Sequence, residues 1–171
     1  MQTPSRKNAQ HATWLAGLLL LLLCGCGFQM RSSPSLPEHL TPLYIQGLER
    51  YDQLNRALRH SLAAADIQVA EERPGAAAIL TVRDHGLTRK IITVDSRGKA
   101  TEYALTRKLT ITLSDSSGRL LMDERTVGVQ RDWIDVGKDG LAGRVEKGQL
   151  QQDMHAELAQ SILRVLGYAL R

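Results

Sequence analysis

The sequence predicts an α+β two-layer sandwich: a mixed four-stranded sheet in the order β-α-β-β-β-α, with two helices packed on one face. Three observations carry that expectation. Apolar residues recur at Tyr51, Leu54, Leu58, Leu62 and Ala65, the three-to-four spacing of one helix face. A second stripe, at Leu150, Met154, Leu158, Ile162, Val165 and Ala169, repeats that spacing near the C-terminus. Between them, residues 101–114 alternate. Tyr103, Leu105, Leu109, Ile111 and Leu113 fall on one parity; Glu102, Thr106, Lys108, Thr110, Thr112 and Ser114 fall on the other, as in a strand with one wet face.

Taken in order, residues 1–25 are expected to be an export signal. Arg6 and Lys7 form a basic start, and the run from Trp14 to Leu23 carries no charge and no Pro. That run is about ten residues, against roughly 20 needed to cross a bilayer as a helix. It ends in Leu23-Cys24-Gly25-Cys26-Gly27, which resembles the lipobox of bacterial lipoproteins. The spacing selects Cys26 over Cys24, because Cys24 directly follows the bulky Leu23. The resemblance implies acyl chains on Cys26, each contributing ~0.8 kcal/mol of membrane affinity per buried CH₂. Gly27 in second place, where an Asp would retain an enteric lipoprotein at the inner membrane, implies sorting to the outer membrane. The alternative is an uncleaved signal anchor. No Cys follows Cys26, so an exported domain here has no internal disulfide and is held together by packing.

Residues 26–42 read as a lipidated N-terminus and a Ser- and Pro-rich tether. Residues 43–171 read as one domain, enough for a single core. A brief strand at Leu43-Tyr44-Ile45-Gln46 stops at Gly47. The first helix follows, with Asp52, Asn55, Arg56 and Arg59 on its polar face, then a short extended piece over residues 66–69. A long extended segment, residues 77–94, is interrupted near Asp84-His85-Gly86, and Asp95-Ser96-Arg97-Gly98 is turn chemistry. In the next strand Arg107 breaks the apolar parity, and its place is expected where the core opens. Asp115-Ser116-Ser117-Gly118 turns the chain into a strand over residues 119–130. Residues 132–147, with Gly137, Lys138, Gly140 and Gly143, read as a loop before a helix over residues 148–170. The connection through the first helix is expected to make the strands on either side parallel.

Charge and motifs narrow the function. The net charge is +4; without Arg6 and Lys7, 20 basic residues face 18 acidic ones, a balance that does not point to nucleic acid. There is no Gly-rich phosphate loop, HExxH or GxSxG. His39, His60, His85 and His155 are scattered, and His60 and His155 are expected to be solvated. An Asp84-His85 base–orienter pair has neither a nucleophile nor an oxyanion hole beside it. No catalytic residue, metal or cofactor is expected beyond the acyl chains on Cys26. Basic residues, by contrast, sit at particular places: Arg89-Lys90, Arg97 and Lys99, Arg107-Lys108, and Lys147. Two readings remain: solubilising charges that protect strand edges, or side chains converging on phosphate-like anions.

Three sequence blocks resemble one family. Cys26-Gly27-Phe28-Gln29-Met30-Arg31 is similar to the mature start of the LptE lipoproteins, often Cys-Gly-aromatic-x-aliphatic-Arg. Arg97-Gly98-Lys99-Ala100-Thr101-Glu102-Tyr103 resembles the family's Gly-x-x-x-Glu-Tyr hairpin, and Gln152-Asp153-Met154 in the last helix is a third match. The resemblance implies a non-enzymatic plug within the lumen of the LptD β-barrel that helps insert lipopolysaccharide into the outer leaflet. It also implies lipopolysaccharide contacts at Arg97, Lys99 and Lys147. The family's binding Arg lies about two residues before the hairpin Gly, where this chain has Ser96, and the basic residue before the last helix is offset by one. Two other readings stay open: a lipoprotein scaffold of another envelope assembly, and a lipid-anchored periplasmic hydrolase.

Overall fold

The computed structural model describes residues 36–134 and 141–170. The expected signal segment, Cys26 and the tether through residue 35 lie outside them, as do residues 135–140. A 3-10 turn, Glu38–Leu40, leads into β1 (Leu43–Gln46), α1 (Gln53–Ala64), β2 (Val69–Ala70), β3 (Ala78–Val94), β4 (Ala100–Asp115), β5 (Leu120–Ile134) and α2 (Leu141–Ala169). The sheet order is β2-β1-β3-β4-β5; β1 is parallel to both neighbours, and β3, β4 and β5 form an antiparallel meander. The sheet thus has five strands where four were expected. The short piece after α1 pairs with β1 as a two-residue edge strand, too short to show any periodicity.

The two helices fill one face. Leu54, Leu58 and Leu62 from α1 and Met154, Leu158 and Ile162 from α2 share a core with Leu80, Val82, Leu105, Leu109, Ile111 and Leu113 from the sheet. Each such side chain contributes about 2 kcal/mol on burial. Leu36 and Leu40, read from the sequence as tether, are buried in this same core. The Asp52 carboxylate accepts the Leu54 N–H at 2.9 Å and caps α1. Tyr51 therefore falls outside the helix and is 87% exposed, off the stripe it was expected to join. Asn55, expected on the polar face, is buried, and its amide is satisfied by the Glu49 carbonyl at 2.9 Å.

Two glycines shape the sheet. Gly47 has φ +95°, and a Cβ there would lie 2.2 Å from the Val82 carbonyl oxygen, so the chain leaving β1 passes directly against β3. Gly86, at φ +79°, marks a β-bulge: Asp84 pairs with Leu109, but Leu87 pairs with Arg107. The extra residue reverses the parity of β3. Ala78, Leu80, Val82 and Asp84 face the helices before the bulge; Leu87, Arg89 and Ile91 face that side after it. The interruption expected near Asp84-His85-Gly86 is this bulge.

The predicted loop over residues 132–147 is largely regular structure. β5 runs on to Ile134, and α2 begins at Leu141, so Lys147 sits inside the helix and not before it. Gly143, which argued for a loop, is a helical position, as is Gly148, each costing about 1 kcal/mol relative to Ala.

Candidate anion-binding hairpin

β3, β4 and β5 are 17, 16 and 15 residues long, well beyond the ordinary five or six, so the β3–β4 hairpin projects past the packed core. Its tip is built by Asp95. One carboxylate oxygen accepts the N–H groups of Arg97 at 2.9 Å and Lys99 at 2.8 Å, while Gly98 takes φ +76°. The β4–β5 turn repeats the device with Asp115, Ser117, Gly118 and Arg119. Because the Asp95 carboxylate is engaged with the backbone, the exposed Arg97 and Lys99 side chains make no ion pair among the described residues. Ile91, Ile92 and Val94 are exposed beside them. The hairpin is thus basic and aliphatic together.

Further back, a row crosses the sheet. The Arg89 guanidinium on β3 lies 4.3 Å from the Tyr103 ring centroid on β4. Tyr103 stacks on Trp133 of β5 at 5.7 Å between centroids and 24° between planes. The Lys147 ammonium on α2 lies 5.4 Å from the Trp133 centroid. Both cations are within the ~6 Å range where an aromatic face attracts positive charge. Beyond Trp133, a cleft of about 430 Å³ between β5 and α2 is lined by Asp132, Glu146 and Asp153 with Leu150.

Within the core, between Leu109 and Leu105 on β4, sits a polar layer. Arg107, on the helix-facing side of β4, forms an ion pair with Asp84, its Nε donating to Asp84 Oδ2 at 3.1 Å, and its Nη1 donates to His155 Nε2. The core does not open at Arg107, because Leu105 beyond it is also buried; the charge is neutralised in place. His155 is only 6% exposed, against the expectation of a solvated ring. Its Nε2 acts as acceptor, so its Nδ1 carries the proton and lacks a partner among the described residues. Burial lowers the His155 pKa, and the Arg107 charge lowers it further against the opposing pull of Asp52 and Asp84. For Asp84, burial raises the pKa, but the Arg107 and Gly86 hydrogen bonds and the Arg107 charge outweigh it and leave the carboxyl below its ordinary value.

Strand alternation puts Asp84 and His85 on opposite faces. Asp84 turns to Arg107, while His85 bonds the Thr110 hydroxyl at 2.7 Å on the opposite face. They form no base–orienter pair. Of the residues singled out from the sequence, Arg97 and Lys99 are brought together at the tip. Lys147 instead joins the aromatic row, whose Tyr103 is four residues from Lys99, about 13 Å along the strand at ~3.3 Å per residue. Cys26 lies outside the described residues. Sequence reasoning passed over Arg89 as a site residue, because its face is set by the bulge. The combination of Gly86 with Asp84 was the available signal.

The comparisons agree with this architecture. The family model described as LptE, lipopolysaccharide-assembly, matches residues 40–166. An LPS-assembly lipoprotein LptE from Photorhabdus laumondii is 28% identical over 156 residues, covering 90% of this chain and 84% of that protein. The protein of that name from Pectobacterium atrosepticum is 28% identical over 160 residues, covering 90% and 83%. Among solved structures, rare lipoprotein B from Shewanella oneidensis superposes with TM-score 0.61 at 20% identity, covering 74% of this chain and 93% of that one. Lipoprotein B from Nitrosomonas europaea gives 0.64 at 22% identity, covering 81% and 88%. These two likenesses share the sheet-and-two-helix fold.

Proposed function

Because this chain belongs to the LptE lipopolysaccharide-assembly family, we propose that it works without catalysis, as plug and assembly partner of an LptD-type outer-membrane β-barrel and as a contact for lipopolysaccharide bound for the outer leaflet. Acyl chains on Cys26 hold it at the outer membrane in this reading. The helix-free face of the sheet, with Thr106, Lys108, Thr112, Thr126 and Gln130, is polar, which suits the polar interior of a large barrel. The observation that carries the lipopolysaccharide contact is the hairpin itself. Among the described residues Arg97 and Lys99 have no carboxylate partner, and they lie beside exposed Ile91, Ile92 and Val94, a pairing of cations and hydrocarbon that matches phosphates next to acyl chains.

The test is a triple charge reversal, Arg97→Glu with Lys99→Glu and Lys147→Glu. Lipopolysaccharide affinity is expected to fall by about tenfold or more with the far-UV CD spectrum unchanged. Unchanged affinity refutes the assignment.

A further inference from the structure

Most arginines held in place in this fold are neutralised by a carboxylate: Arg59 by Glu71, Arg107 by Asp84, Arg119 by Asp115 and Arg131 by Glu157. Arg89 is not. It is held by the Tyr103 ring, which attracts the cation without accepting its N–H bonds, so its donors remain unpaired among the described residues. Its neighbours on the same face of β3 are Leu87 and Ile91, 37% and 53% exposed, so a fixed cation stands between two aliphatic side chains. Lys147, at the other end of the row, approaches Trp133, whose adjoining cleft carries Glu146 and Asp153 from α2. Those carboxylates repel an incoming anion and lower what Lys147 contributes.

We propose that Arg89 is the principal anion-binding side chain of this face, ahead of Lys147, and that with Leu87 and Ile91 it takes a phosphate bearing adjacent hydrocarbon. Tyr103 is the positioning residue: it stacks on the guanidinium and leaves the planar fork of donors available for bidentate contact. This inference rests on the lipopolysaccharide reading and adds an order of importance to it.

Residues 26–171 contain one tryptophan, Trp133, so the processed, membrane-extracted protein in mild detergent reports on this row alone. Trp133 fluorescence is followed as purified lipopolysaccharide is added. Arg89→Glu is expected to weaken binding by about tenfold or more and Lys147→Glu by less, while Arg89→Lys, which keeps the charge but not the planar fork, falls between Arg89→Glu and the parent. Far-UV CD and thermal midpoint check that each variant is folded. Equal affinity of Arg89→Glu and the parent overturns the proposal, as does a larger loss for Lys147→Glu or an Arg89→Lys protein that binds as tightly as the parent. If the parent does not bind lipopolysaccharide, the functional reading itself fails, and this inference falls with it. Competition by inorganic phosphate at the same concentration as lipopolysaccharide overturns the requirement for hydrocarbon.

Discussion

Replacing Arg107 with Ala tests the buried polar layer through both the size and the pH dependence of its effect. The Arg107 and Asp84 side chains keep 18% and 19% of their exposure. Removing one member of a buried pair costs roughly 3–5 kcal/mol, and this residual solvent access places the loss at the lower end, about 3 kcal/mol. For a domain of this size that is a fall of about 10 °C in the thermal midpoint at pH 7.5. The pH dependence follows from His155. In the parent its pKa is depressed below 6.5, first by burial and then by Arg107. The stability from keeping the ring neutral is full above 6.5 and is lost as pH falls toward the folded-state value. Without Arg107, Asp84 is uncompensated and, with Asp52, pulls the His155 pKa upward. The imidazolium then partners Asp84 at low pH. The gap between parent and variant should therefore narrow from pH 7.5 to pH 5.5, measured by thermal unfolding followed by CD. An Arg107→Ala/His155→Phe double variant should show no such narrowing relative to His155→Phe. A gap that stays constant or widens on acidification would refute the reasoning.

Three further outcomes are expected. Gly47→Ala puts a methyl group into the Val82 carbonyl at a positive φ, so the domain should lose about 3 kcal/mol or fail to fold, read by urea denaturation. Gly148→Ala, at a helical position with open space around it, should raise stability by about 0.5–1 kcal/mol in the same assay. Asp115 is held at about 2 by the Ser117 hydroxyl, with further bonds from Arg119 and the Ser117 N–H. Its contribution is full above 3.8 and is lost as pH falls toward 2, so Asp115→Asn should be less stable than the parent at pH 6 and converge with it below pH 3, checked by acid titration of the CD signal.

How far the fold is legible in the sequence varies with the element. The alternation over residues 101–114 and the leucine spacing of α1 give β4 and α1 directly, because each buries a single face. The Asp-Ser-x-Gly turns are equally plain, since one carboxylate and one glycine specify the geometry. Lys147 falls in the expected loop because Gly137, Lys138, Gly140 and Gly143 read as breakers, whereas α2 already begins at Leu141 and runs through Gly143. His155 and Asn55 look solvated in one dimension, but the first is paired in the interior with Arg107, 48 residues away on β4, and the second with a local carbonyl. For the site, Arg97 and Lys99 are readable from the turn. Arg89 is not, because a single extra residue at Gly86 decides which face it takes, and parity read from either half of β3 alone gives opposite answers.

The central claim is that this small domain works by fitting inside a partner. The most direct measurement is affinity purification of the full-length, membrane-extracted chain from its own cells, with the bound protein identified by mass spectrometry. The account predicts one large outer-membrane β-barrel recovered in equal amount, together with a barrel that fails to reach its heat-resistant folded form when this chain is depleted. Recovery of the chain without any barrel, and normal barrel folding in its absence, would contradict it.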